Sequence, residues 1–135
     1  MSLEIEQRER EGITILEMKG RITVGKEATA LREKIAELTA VSIRNVVLNL
    51  AGVDFIDSTG LGALVVCATS ARKAGGAVKL VSLNRRNIEL LVMTKLATVF
   101  EIFNDEQDAI NSFYPDRKLK TFDILDFVNK MKTEE

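Results

Sequence analysis

A chain of 135 residues, 46% hydrophobic and 29% charged, has the length of one ordinary domain and the balance of a globular one. Its 19 basic and 20 acidic residues leave a net charge of −1, with no basic excess to follow a phosphate backbone, so direct nucleic-acid binding is not expected. With no histidine and a single cysteine, Cys67, the sequence offers no histidine-activated nucleophile, no internal disulfide and no soft-metal ligand set.

The N-terminus lacks the basic-then-apolar form of a signal peptide, and no apolar run reaches the ~18 residues of a membrane span. A reducing cytoplasm is the expected location, with no membrane partner. Leu3 and Ile5 alternate with Glu4 and Glu6, the period of a half-buried strand. Glu11-Gly12 marks a turn into Ile13–Met18, giving an antiparallel hairpin whose alternation slips at Leu16, by a bulge or by burial of both faces. Lys19–Thr23 is expected as the loop into a first helix, which carries the apolar stripe Ala28, Leu31, Ile35 and Leu38 opposed by charged residues. Val46–Leu50 is nearly all apolar, as in a central strand covered on both faces, and is bounded by Ala51-Gly52.

Next comes Val53-Asp54-Phe55-Ile56-Asp57-Ser58-Thr59-Gly60-Leu61-Gly62, after which Leu61, Leu64, Val65 and Ala68 recur at helical spacing. Asp57, Ser58 and Thr59 thus fall at a helix start, where backbone N–H groups lack internal partners and the helix dipole favours acceptors or anions. One reading is a plain N-cap with two glycines for tight packing. An activated serine nucleophile would need a base that the chain lacks. A phosphate-cradling loop would need the Lys of GxxxxGK[ST] or the spacing of GxGxxG, and neither is present. A phosphate carried on Ser58 itself would suit the helix start electrostatically. Thr59, Gly62, Ala63, Val66 and Ser70 share a face beside the apolar stripe. Small residues there suit close approach by another protein, or packing under the C-terminal segment.

Val78–Leu83 reads as the strand that completes a βαβ unit, expected with a right-handed crossover, which sets Ser58 beyond the carboxyl end of a strand. Asn84-Arg85-Arg86-Asn87 opens a third helix with Ile88, Leu91, Val92 and Leu96 on one face. Val99–Phe103 is a short edge strand, and Asn104-Asp105 cap a last short helix reaching Phe113, with Glu106 and Asp108 in its first turn. Beyond Pro115, Ile124, Phe127, Val128 and Met131 repeat at i, i+3, i+4 and i+7, an amphipathic helix that must bury its face on its own domain, a second copy or a partner.

Asp54–Gly62 closely resembles the signature of STAS domains of the bacterial anti-anti-sigma factor type. The likeness extends over roughly residues 3 to 113, through Gly75–Val81 and Leu96–Phe103. It departs at Thr23, where the family often has an acidic residue, and at Lys95, where it often has glycine. The resemblance implies an α/β STAS fold: a mixed β-sheet with an N-terminal antiparallel hairpin, βαβ units and about four helices. Residues 1–114 would form that domain and 115–135 a helical C-terminal extension. It also implies an anti-sigma factor antagonist, not an enzyme and without cofactor. Ser58, and less favourably Thr59, would be phosphorylated by an anti-sigma factor with a kinase-type ATP site, a Ser phosphatase would reverse the modification, and the unphosphorylated form would release a sigma factor. The partner surface would comprise Arg21, Thr23, Asp57, Ser58, Thr59, Gly60, Gly62, Ala63 and Val66, with a homodimer through the C-terminal helix as a further option. The rival expectation is a constitutive STAS subunit of a lipid-transport ABC system or a signalling scaffold.

Overall fold

The computed structural model describes residues 3–117 and 121–134; positions 1 and 2 of the expected domain, and 118–120 and 135 of the expected extension, lie outside the described residues. In chain order the elements are β1 (Leu3–Arg10), β2 (Ile13–Ile22), α1 (Lys26–Ala40), β3 (Asn45–Ile56), α2 (Ser58–Lys73), β4 (Ala77–Val81), α3 (Arg85–Met93), β5 (Glu101–Phe103), α4 (Glu106–Asn111) and α5 (Ile124–Glu134). The strands form one sheet in the order β1-β2-β3-β4-β5, with β1 antiparallel to β2 and every other pair parallel.

The hairpin turns on Glu11 and Gly12, whose φ values of 53° and 85° are the two left-handed positions that a two-residue turn between twisted strands requires. Ile13–Leu16 are all buried because helices cover both faces of the sheet, so the slip in alternation at Leu16 is two-sided burial. Leu16, Met18, Leu48 and Leu50 meet the stripes of α1 and α2 in the main core, while Ile13, Ile15, Val47, Val81 and Phe103 meet Ala109 and Ile110 of α4 on the opposite face.

Two expected boundaries are corrected. Lys19–Ile22 is strand, not loop, and β3 runs on through Ala51-Gly52 to Ile56. The register shifts between Glu17 and Lys19 and again between Gly20 and Arg21, and at each shift β3 uses one residue more than β2. Such bulges keep a pair of strands hydrogen-bonded while hiding the regular pattern on which a sequence reading depends. The edge strand is also shorter than expected, Glu101–Phe103 rather than Val99–Phe103. Likewise α3 ends at Met93, leaving Leu96 beyond it.

α4 is tied to the sheet by Glu106, which is 9% exposed. Its carboxylate accepts from Arg8, from Arg10 Nη1 at 2.5 Å and from Asn49 Nδ2 at 2.9 Å. Three helices end alike. Beyond α1, α2 and α3, the amides of Ser42, Gly75 and Lys95 bond back to Thr39, Arg72 and Val92, and those of Ile43, Gly76 and Leu96 to Leu38, Ala71 and Leu91. This paired pattern places one left-handed residue just past each helix. That residue is Ser42 at φ 65°, Gly75 at 85° and Lys95 at 63°.

Candidate functional site: the rim at the start of α2

Only the first five residues of β3 pair with β4, whereas its pairing with β2 continues to Ile56. The free side of the β3 extension is braced from α3: Asn87 Nδ2 donates to the Val53 carbonyl at 3.0 Å and Asn84 Nδ2 donates to the same oxygen at 3.2 Å. Asn84 also caps α3 by accepting from the Asn87 amide at 2.8 Å. These side chains stand in for a missing strand and carry the chain to the rim, where the strand gives way to α2 at Asp57.

Asp57 caps α2. Its Oδ1 accepts from the Gly60 amide at 2.7 Å, and its Oδ2 accepts from the Val24 amide at 2.9 Å. Its own amide donates to the Ile22 carbonyl at 3.2 Å. One residue therefore joins the start of α2 to the β2–α1 loop. The Gly60 amide, supported by those of Val24 and Thr59 against partial burial, holds the carboxyl below its ordinary value. Asp57 is ionised at neutral pH.

Ser58, the first residue of α2, is exposed, and Thr59 is half-buried. Arg21 is exposed at the end of β2, and Thr23 is half-buried with its carbonyl accepting from the Ala28 amide at 3.0 Å. Gly62 is exposed, with open space where a Cβ would stand, and Val66 is 48% exposed. Val66 and Ser70 line a hollow of about 440 Å³ with Ile35, Ala36 and Thr39 of α1.

Two expected surface residues are corrected. Ala63 is fully buried in the main core, because the stripe facing the sheet is wider than the Leu61/Leu64/Val65/Ala68 spacing indicated. Gly60 is buried too: a Cβ there would stand 1.9 Å from the Ile22 carbonyl oxygen, so the glycine is required by β2 beneath it and does not hold the helix start open from outside. Cys67 is buried, and desolvation pushes its thiol up to about 12, the behaviour of a packing residue.

The STAS domain family model matches residues 4–109. The chain belongs to the STAS domain family. This STAS domain is 32% identical over 102 residues to the anti-sigma-B factor antagonist of Bacillus subtilis, covering 76% of the chain and 92% of that relative. Its fold is similar to that of an anti-sigma factor antagonist from Mycobacterium paratuberculosis, with a TM-score of 0.71 at 22% identity, covering 82% of this chain and 93% of that one. The phosphorylated form of the Bacillus cell fate determinant SpoIIAA superposes with a TM-score of 0.62 at 17% identity, over 83% of this chain and 99% of that one.

The structure also adds residues to the STAS rim that the sequence did not single out. Val24 is 67% exposed beside the Asp57 clamp, and Phe55 stands under the Arg86 guanidinium, whose carbon is 5.2 Å from the ring centroid. An apolar residue in a polar loop was the available signal for Val24. The Phe55–Arg86 contact spans 31 positions and has no local signal. No group of three or more potential metal ligands exists among the described residues, nor is any described helix long and apolar enough to cross a membrane.

Proposed function

We propose that this STAS domain is an anti-sigma factor antagonist acting in the cytoplasm. It binds an anti-sigma factor with a kinase-type ATP site, releases a sigma factor, and is switched off when that partner phosphorylates Ser58. The reading is carried by the rim geometry: an exposed serine on the first turn of α2, in a loop already fixed to its neighbour by Asp57. It is supported by the relatives that bear the name and by the phosphorylated form of SpoIIAA.

The amides of Gly60 and Val24 are engaged by Asp57, so a phosphoryl group on Ser58 points outward instead of replacing the cap. It adds about −1.5 to −2 charges beside an ionised carboxylate without refolding the helix. A like-charged or desolvated contact costing ~3 kcal/mol weakens affinity about a hundredfold. Arg21, Thr23, Asp57, Ser58, Thr59, Gly62 and Val66 form the contact surface, with Gly60 and Ala63 shaping it from beneath. Thr59 is a weaker acceptor because it is half-buried. A Ser phosphatase resets the switch. Residues 1–114 carry the binding function, and 115–135 are an appendage to it.

The test combines phosphate mapping on protein from its own cells with binding of Ser58→Ala and Ser58→Asp to the purified anti-sigma factor. Condition-dependent phosphate on Ser58, retained binding by the alanine variant and about hundredfold weaker binding by the aspartate variant are expected. Equal binding by both variants removes Ser58 from the mechanism. A stable complex that never carries phosphate points instead to the constitutive subunit of a lipid-transport ABC system.

A further inference from the structure

α1 and α2 pack side by side over the main core, and small side chains line the seam between them: Ala36 and Ala40 on α1, Cys67 and Ser70 on α2. Side chains this short do not fill the space between two neighbouring helices, and the hollow of about 440 Å³ is what remains. Its floor is apolar. Ile35 is buried, and Cys67 is buried as an un-ionised thiol. Among the described residues that line it, Arg32 alone is charged. The Arg32 charge reaches the floor, where it acts on the Cys67 thiol against the effect of burial. A helical arginine ordinarily finds a carboxylate three or four positions away, but here those positions are Ala28, Thr29, Ile35 and Ala36. Arg32 makes no ion pair or side-chain hydrogen bond among the described residues.

We infer that the hollow between α1 and α2 is a binding site for a medium-chain fatty acid, its carboxylate on the Arg32 guanidinium and its hydrocarbon chain along Ala36, Ala40 and Cys67. An apolar cleft with one convergent charge is the pattern of a small-molecule site, and the volume falls in the usual range of such sites. The unpaired guanidinium selects an anion, and its planar fork suits a carboxylate through two parallel hydrogen bonds. The lining selects an aliphatic chain, since it holds no aromatic ring on which a base or a sugar could stack. From Arg32 to Ala40 the seam runs about 12 Å along α1, which sets the medium length. A diacyl phospholipid brings two chains and a bulky headgroup to a cleft with room for one chain. Val66 also belongs to the contact surface proposed for the partner, but the inference rests on the cleft and stands independently of that reading.

Amide NMR titration of the full-length chain with octanoate and decanoate, kept below micelle-forming concentrations, tests it. Saturable shifts centred on Ala36, Cys67 and Ser70 are expected, with affinity rising about three- to tenfold from octanoate to decanoate as two more methylenes leave water. Arg32→Glu removes an attraction and adds a repulsion, so octanoate is expected to bind about tenfold more weakly while uncharged octanol binds as before. Ala36→Leu puts a side chain into the cleft from an exposed helical position, and is expected to weaken both ligands at least about tenfold with the melting temperature retained. Vesicles of phosphatidylglycerol are expected to leave the spectrum unchanged. Shifts that scatter over the surface or never saturate, equal losses of octanoate and octanol in Arg32→Glu, undiminished binding by Ala36→Leu, or binding to the vesicles and not to decanoate would each overturn the inference.

Discussion

Gly60 and Gly62 lie two residues apart on the same helix and are under opposite constraints. At Gly60 a methyl group would collide with a backbone carbonyl held in the β2–β3 pairing, so Gly60→Ala is expected to cost about 3 kcal/mol, seen as a lowered urea midpoint. At Gly62 a methyl group meets nothing, and the helix gains by losing a glycine, so Gly62→Ala should stabilise by about 0.5–1 kcal/mol. On the proposed function, the same Gly62→Ala variant should weaken partner binding roughly tenfold while raising the melting temperature. Stability and binding moving in opposite directions in one variant would mark Gly62 as interface. If binding is unchanged, Gly62 drops out of the contact surface.

At the scale of elements, two of the helix ends carry a removable cost. Lys95 stands at a left-handed position where a side chain costs about 1 kcal/mol, and glycine carries no such cost there. Lys95→Gly and Ser42→Gly are each expected to stabilise by about 1 kcal/mol, raising the melting temperature by about 3–5 °C, and their sum should be additive because they end different helices. The elements most legible in the sequence are those with regular periods: the stripes of α1 and α2, the apolar start of β3, and the Asp57 and Asp105 caps. The second halves of β2 and β3 were hidden, because two bulges break the alternation and place glycines where a loop would have them. The α3 brace was hidden for another reason, since Asn84 and Asn87 act on a carbonyl more than thirty residues away. The serine at the helix start was legible, but the clamp that joins its loop to Val24 was not, because a side chain accepting from a distant backbone amide leaves no spacing to count.

For the molecule as a whole, acid is the revealing variable. Burial raises the Glu106 carboxyl, but the bonds from Arg8, Asn49 and Arg10 and the Arg8 charge outweigh it and hold the group at about 2 against an ordinary 4.5. A carboxyl depressed in the folded state contributes stability that is full above its unfolded value and is lost as pH falls towards its folded value. Asp57 acts in the same direction. The melting temperature is therefore expected to hold from neutral pH down to about 5 and then to fall steadily towards about 2. Glu106→Gln should lower stability at pH 7 by about 2 kcal/mol and flatten the acid limb. An acid limb of undiminished slope in that variant would show that other carboxylates govern it.

The Asp57 clamp fixes backbone on both sides of position 23, through the Val24 amide on one side and the Ile22 carbonyl on the other. A side chain at 23 can therefore change while the loop that presents it keeps its course. On the proposed function, in a cell that holds several duplicated domains of this kind, each with its own partner, a single substitution there is expected to alter which partner is preferred and to leave the proposed serine switch as it was. Divergence between duplicates could then begin at one codon, without passing through an unstable intermediate.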